Sequence, residues 1–318
     1  GLILVSAFGF LPTLSPTLAL LCFYFPVSLG SSAFHPPAAG IVGQHDLNRR
    51  AFNMSFFWAF GALGLSCSPL VFTYMYTNHV DNFHWIILPG LMLGAIALTC
   101  FKYDTHVTEK SQRFGFKDFL QLFRRRDTLL LWLSQVFIAS IFWGSLFLLP
   151  DMLIDKNYPD WISKGAAHMC YVIGAAGTSM IAGWIADRTS VKWVMLICTV
   201  VGSIFFYSLL WNGAMEPPYV LATCFMIGAF LGQCSPLSIA QGNALVPEKP
   251  ALISAFLMGF VWFIAETIGT TGTGLATKLF SEHQPTYALS CLGLLFVPAW
   301  LALYLMPEPS KGWQSQTV

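Results

Sequence analysis

Nine apolar runs long enough to cross a bilayer limit what this chain can become more than any other feature. They lie near 18–43, 52–76, 84–101, 129–150, 165–186, 192–212, 218–245, 252–277 and 286–306. A helix needs about 20 apolar residues to cross roughly 30 Å of hydrocarbon, and the polar or Pro/Gly-rich segments between the runs read as its turns. The chain is therefore expected to be an all-α, polytopic membrane protein. Composition agrees: 56% of residues are apolar and 10% charged, against roughly 25% charged in soluble domains. Mean hydropathy is +0.64.

A tenth apolar stretch, Gly1 to Leu11, is too short to span. It has no initiator Met, no charged lead and no cleavage site, so it reads as the inside of an interrupted helix rather than a signal peptide.

Lys and Arg test the topology, because cytoplasmic loops hold most of them. If the 44–51 loop is cytoplasmic, alternation puts Arg49, Arg50, Lys102, Lys110, Arg113, Lys117, Arg124, Arg125, Arg126, Arg188, Lys192, Lys249 and Lys311 on that side. Only Lys156, Lys164 and Lys278 fall opposite, and together these account for all 16 basic residues. A misplaced span would have scrambled this asymmetry. The expectation is a multi-pass protein of the cell (inner) membrane with a cytoplasmic C-terminus.

The net charge of +1 gives no nucleic-acid signal. Arg124-Arg125-Arg126 stands just before a span and reads as an anchor at anionic headgroups of the lipid bilayer. The eight cysteines lie in or beside apolar runs, without a CxxC pair or a His at ligand spacing, so neither a disulfide framework nor a metal site is indicated. No cofactor is expected, and a proton gradient is the expected energy source.

An internal repeat organises the spans. Residues 51–58 can be laid on residues 255–262 at an offset of 204, with Ala, Phe, Met, Phe and Trp coinciding at five of eight positions. Shifted back by the same offset, the runs at 286–306, 252–277 and 218–245 fall near 82–102, 48–73 and 14–41, close to three runs found independently. The run at 192–212 maps onto the stub. Two six-helix halves follow, with roughly 75 residues and two and a half helices expected upstream of Gly1. Residues 1–101 are then the remainder of the N-terminal half, 102–128 a cytoplasmic linker, 129–306 the C-terminal half and 307–318 a tail. Within the linker, Phe114, Phe116, Phe119, Leu120, Leu122 and Phe123 are spaced for an amphipathic helix on the membrane surface.

With this organisation the chain resembles the major facilitator superfamily, whose members have twelve helices in two halves around a central cavity. Gly183, Asp187, Arg188 and Lys192 match its cytoplasmic G-x-x-x-D-R-x-x-x-[KR] loop, placed between the second and third helices of the second half. The resemblance implies a gate in which these charges bond to neighbouring helix ends in the outward-facing state. Gly30-Ser31-Ser32-Ala33-Phe34-His35-Pro36 is similar to the G-S-S-x-F-H-P-E segment of the fosmidomycin-resistance branch of drug-efflux proteins, with Pro37 in place of its Glu. Gly61, Gly64 and Pro69 resemble part of the glycine-proline motif of drug antiporters, which implies tight helix packing and a bend.

Polar groups inside a bilayer are costly and need a reason. Glu266 lies mid-span, followed by a Gly- and Thr-rich stretch. It reads either as a proton-coupling carboxyl or as a protonated, hydrogen-bonded packing residue. His35 precedes Pro36 and Pro37, which interrupt the helical ladder, and reads as a proton or substrate ligand or as an interhelical hydrogen bonder. Gln135 and Gln233, with Ser235, Ser238, Gln241 and Asn243, add hydrogen-bonding capacity on helices that line the cavity in this superfamily. Trp58, Trp143 and Trp262 suit stacking on an apolar substrate as well as core filling.

The expected function is secondary active transport by alternating access, as a monomeric, proton-coupled exporter of a small organic compound or drug. Uptake or exchange of an organic anion is less favoured, because no Lys or Arg lies mid-span. A membrane-embedded enzyme would need a cluster of nucleophile, base or metal ligands, and a non-transporting sensor on the same fold stays open.

Overall fold

The structure is a computed structural model that describes residues 15, 25–79, 82, 85, 87–100, 115–213, 215–280 and 284–307. The stub at 1–11, most of the 102–128 linker and the tail from 308 lie outside these residues. Every regular element among the described residues is helical. Helices α1 (Phe25–His45), α2 (Arg50–Asn78) and α3 (Ile87–Cys100) precede α4 (Phe116–Arg124) and α5 (Arg126–Asp155). Next come α6 (Ala167–Arg188), α7 (Val191–Trp211), α8 (Pro217–Leu231) and α9 (Cys234–Leu245). The chain continues through α10 (Pro250–Ala255), α11 (Val261–Glu266), α12 (Thr273–Ala276), α13 (Gln284–Gly293) and α14 (Phe296–Leu305).

Among the described residues, six stretches are long and apolar enough to cross a membrane: Arg126–Asp155, Ile162–Arg188, Val191–Trp211, Pro217–Leu245, Pro250–Leu279 and Gln284–Leu305. They coincide with the last six runs of the sequence. Two are broken in line at prolines. Pro236 and Pro298 lack the amide that would bond the carbonyl four residues earlier, so the ladder lapses before each and separates α8 from α9 and α13 from α14. The Pro250–Leu279 stretch is looser still, with π turns at Phe256–Phe260 and Thr267–Gly272 on either side of α11. Such turns cluster at functional sites.

Small residues let these helices cross closely. A Cβ on Gly228 would stand 1.7 Å from the Tyr171 carbonyl oxygen, and one on Gly174 would stand 2.1 Å from that of Phe225, so α6 and α8 touch backbone to backbone. Gly144 on α5 and Gly269 after α11 make a second such crossing. Small-residue interfaces of this kind replace the hydrophobic drive that lipid removes.

The amphipathic linker helix is present as α4. Phe119 and Phe123 pack edge-on against Phe256 at 5.4 and 4.9 Å. Lys249 pairs with Asp118 at 2.7 Å, while Phe116 and Leu120 stay exposed. This helix is thereby tied to the first π turn beside α11.

At the other end of the bundle, the Lys156 ammonium donates to the carbonyls of Leu209, Leu210 and Asn212 at 2.8–2.9 Å and closes the C-terminus of α7. Burial lowers the Lys156 pKa from its ordinary value, so the three carbonyls offset a desolvation cost. Lys156→Met would strip them of their donor. Hydrogen bonds to charged groups contribute about 1.5–3 kcal/mol, so the variant should melt several degrees lower in a thermal-shift assay, and an unchanged melting temperature would refute the capping role.

Candidate substrate site and gate

α1 carries Pro36 and Pro37 inside it, which removes two amide donors from the ladder next to His35. The His35 Nδ1 lies 3.0 Å from the Ser31 carbonyl oxygen and 3.1 Å from the Ser31 hydroxyl, so the ring is held on its own helix. Its face meets Trp262 of α11 at 5.8 Å between centroids. Trp58 of α2 meets the same indole at 5.8 Å and Trp143 of α5 meets it at 6.4 Å. Interplanar angles of 62–76° make all three contacts edge-to-face, the arrangement that ring quadrupoles favour. The four half-buried rings thus come from four helices and converge on Trp262. The indole N–H groups of Trp58 and Trp262 are buried without an acceptor among the described residues. Trp58 and Trp262 are also the repeat-related pair, so the offset of 204 in the sequence becomes a ring contact in space.

Gln135 on α5 donates to the Ser235 hydroxyl at 2.5 Å, and its carbonyl oxygen has no partner. Gln233 is placed differently from the expected cavity face. Its amide donates to the Ala175 and Ala229 carbonyls and to the Thr178 hydroxyl at 2.8–3.1 Å, knitting α8 to α6 at 1% exposure. Glu266 stands one turn after Trp262 on an open face of α11 with Phe263 and Thr267, and its carboxylate forms no ion pair among the described residues.

The residues of the expected gate loop separate into two groups. Asp187 accepts the Ala51 amide at 2.8 Å and the Phe52 amide at 2.9 Å. These are two of the first N–H groups of α2, which have no partner within their own helix. Gly183 lies one turn earlier, where a Cβ would come within 2.6 Å of the Ala51 carbonyl oxygen, so only glycine lets α6 approach α2. The Ser179 hydroxyl donates to the Ser55 carbonyl at 3.1 Å and extends the seam. Arg188 and Lys192 do not cross it. Arg188 folds over Trp184 of its own helix at 3.9 Å. Lys192, 8% exposed, donates to the Tyr304 and Met306 carbonyls at 2.8 and 2.7 Å and caps α14. Proximity in sequence placed them in one loop, but Lys192 follows the carbonyls at the end of α14 and Arg188 stays on its own helix.

A second seam at the same end went unread in the sequence. Gly40 of α1 abuts the Ala251 amide nitrogen at 3.1 Å for an added Cβ, and Gly43 abuts the Asn243 side chain. Gln44 donates to the Pro247 carbonyl at 2.8 Å. Arg50 closes the α1–α2 corner on the Gly43 carbonyl at 2.8 Å. Small residues three apart on α1 were the available signal. Among the described residues, a Cβ on Gly61 or Gly64 would meet nothing within 4 Å. The side chain of Pro69 lies outside the described residues.

The family model of the Major Facilitator Superfamily matches residues 1–270. The fold is shared with the E. coli fucose:proton symporter FucP at a TM-score of 0.69, over 97% of this chain and 82% of that one, at 15% sequence identity. No curated protein matches the chain. With its family matched over most of its length, the chain belongs to the major facilitator superfamily.

Proposed function

We propose that this secondary transporter works by alternating access, exporting a small organic compound or drug against a proton gradient. The ring cluster of His35, Trp58, Trp143 and Trp262 is its central site, and the Asp187–α2 and Gly40–Ala251 seams are its gate. The observation that carries this reading is the meeting of the repeat-related Trp58 and Trp262 between α2 and α11. Paired elements of a duplicated fold that meet at one point mark the axis about which the two parts rock. In this reading residues 1–101 and 129–306 are the two parts, and 102–128 is the linker.

Positive residues concentrate at the seam end, which makes that end cytoplasmic and the present conformation outward-open. Glu266 is the proton-accepting group. The export direction rests on the similarity of residues 30–36 to drug-efflux proteins, since likeness to a symporter of known structure supports the fold alone.

In cells carrying the full-length protein, efflux of a panel of fluorescent drugs should stop when the proton gradient is collapsed. A disulfide between Gly40→Cys and Ala251→Cys should block it reversibly. Efflux through the cross-linked protein would refute the gate, and drug accumulation that rises with expression would reverse the direction.

A further inference from the structure

At the Lys156 end of the bundle, α7 and α8 border a crevice of about 460 Å³ lined by Phe205, Met215, Tyr219, Ala222 and Met226. Ligand sites commonly measure about 300–1,000 Å³. Local bonds fix its walls. The Met215 N–H donates to the Tyr158 hydroxyl at 2.7 Å, and that hydroxyl donates to the Met215 carbonyl oxygen at 2.9 Å, so one side chain pins the residue on both sides. Phe205 stacks on Phe230 at 6.0 Å and 7°. The Thr223 hydroxyl donates to the Tyr219 carbonyl oxygen at 2.7 Å, which leaves the interior apolar. Exposed Trp211 and Tyr219 mark the membrane–water interface. Phe205 lies six residues before the first and Met226 seven after the second, about 9–10 Å deeper at 1.5 Å per residue. The crevice therefore opens at headgroup level and runs down into hydrocarbon.

At the mouth stands Glu216, the exposed residue that precedes the first turn of α8. Its carboxylate forms no ion pair among the described residues. The cation at the same corner, Lys156, spends its ammonium on three carbonyls of the α7 end. The mouth thus presents negative charge above an apolar slot. We infer that the crevice holds one phospholipid with a primary-ammonium headgroup, its acyl chain along Phe205, Ala222 and Met226 and its ammonium donating to Glu216. An acyl chain leaves one hydrocarbon surrounding for another, so the slot contributes packing and the headgroup contributes selection. An anionic headgroup would be repelled by Glu216, and a quaternary ammonium carries the charge without an N–H to donate. The site lies apart from the ring cluster and the gate, and does not depend on either.

The test uses the full chain in mild detergent, titrated with dioleoyl phosphatidylethanolamine, phosphatidylglycerol or phosphatidylcholine and read by native mass spectrometry. One phosphatidylethanolamine should be held about tenfold more tightly than either of the others. Glu216→Gln should erase this preference, and Glu216→Lys should reverse it in favour of phosphatidylglycerol. Ala222→Trp, which fills the slot from an exposed position, should lose the retained lipid with an unchanged melting temperature. Glycerophosphoethanolamine, the same headgroup without tails, should not compete. Equal retention of phosphatidylglycerol by the intact protein, a preference that survives Glu216→Gln, or a lipid still held by folded Ala222→Trp would each overturn the inference. If Ala222→Trp does not fold, the two Glu216 variants decide it, since an unreversed preference in Glu216→Lys is equally fatal.

Discussion

Asp187→Ala is expected to open the gate end and cut transport by an order of magnitude or more. The side chain accepts two backbone amides at the start of α2, where the helix dipole adds to the attraction for a negative group. A hydrogen bond to a charged acceptor contributes about 1.5–3 kcal/mol, and each 1.4 kcal/mol is about tenfold in an equilibrium. Loss of both bonds, about 3–6 kcal/mol together, should therefore shift the closed-to-open ratio by roughly 10²- to 10⁴-fold. The rate of disulfide formation between Gly40→Cys and Ala251→Cys should fall accordingly. Asp187→Asn, which keeps one acceptor oxygen, should lie between. An unchanged cross-linking rate in Asp187→Ala would show that the seam is held by the glycine packing alone.

Gly228→Val should prevent the six-span bundle from assembling. Even its Cβ would stand 1.7 Å from the Tyr171 carbonyl oxygen, far inside van der Waals separation, and the contact is backbone, which no rotamer change can relieve. Overpacking usually costs about 1–3 kcal/mol when side chains can yield, so a backbone clash of this depth should exceed that range. Little monodisperse protein should survive gel filtration. Gly177→Ala on the facing helix α6 meets nothing within 4 Å and should behave as wild type. A stable, correctly folded Gly228→Val protein would mean that α6 and α8 lie farther apart than the structure places them.

Legibility differed between parts of the molecule. The last six spans and the amphipathic helix α4 were readable because each follows from a local rule: apolar length and amphipathic spacing. The in-line breaks at Pro236 and Pro298 were readable in principle, since the missing amide is written in the residue. Of the motif residues, Asp187 meets the start of α2 and Lys192 the end of α14, bonds to helix ends of the kind the resemblance implied, whereas Arg188 folds over Trp184 of its own helix. A cation's destination depends on which carbonyls lie within reach, and for Lys192 these belong to α14, 112 and 114 residues away in sequence. Gln233 likewise sits on the predicted helix but turns to α6. Helical spacing tells which residues share a face and leaves open which helix that face meets.

What the sequence by itself determined was a many-span helical membrane protein, its asymmetric charge and a five-of-eight match between residues 51–58 and 255–262 at an offset of 204. Solvation in lipid imposes these one segment at a time. What only the tertiary structure decided was that the duplicated tryptophans, Trp58 and Trp262, touch each other, with His35 and Trp143 joining them. That outcome depends on how closely helices can cross, and glycine contacts between distant segments set that distance, a property no single segment carries.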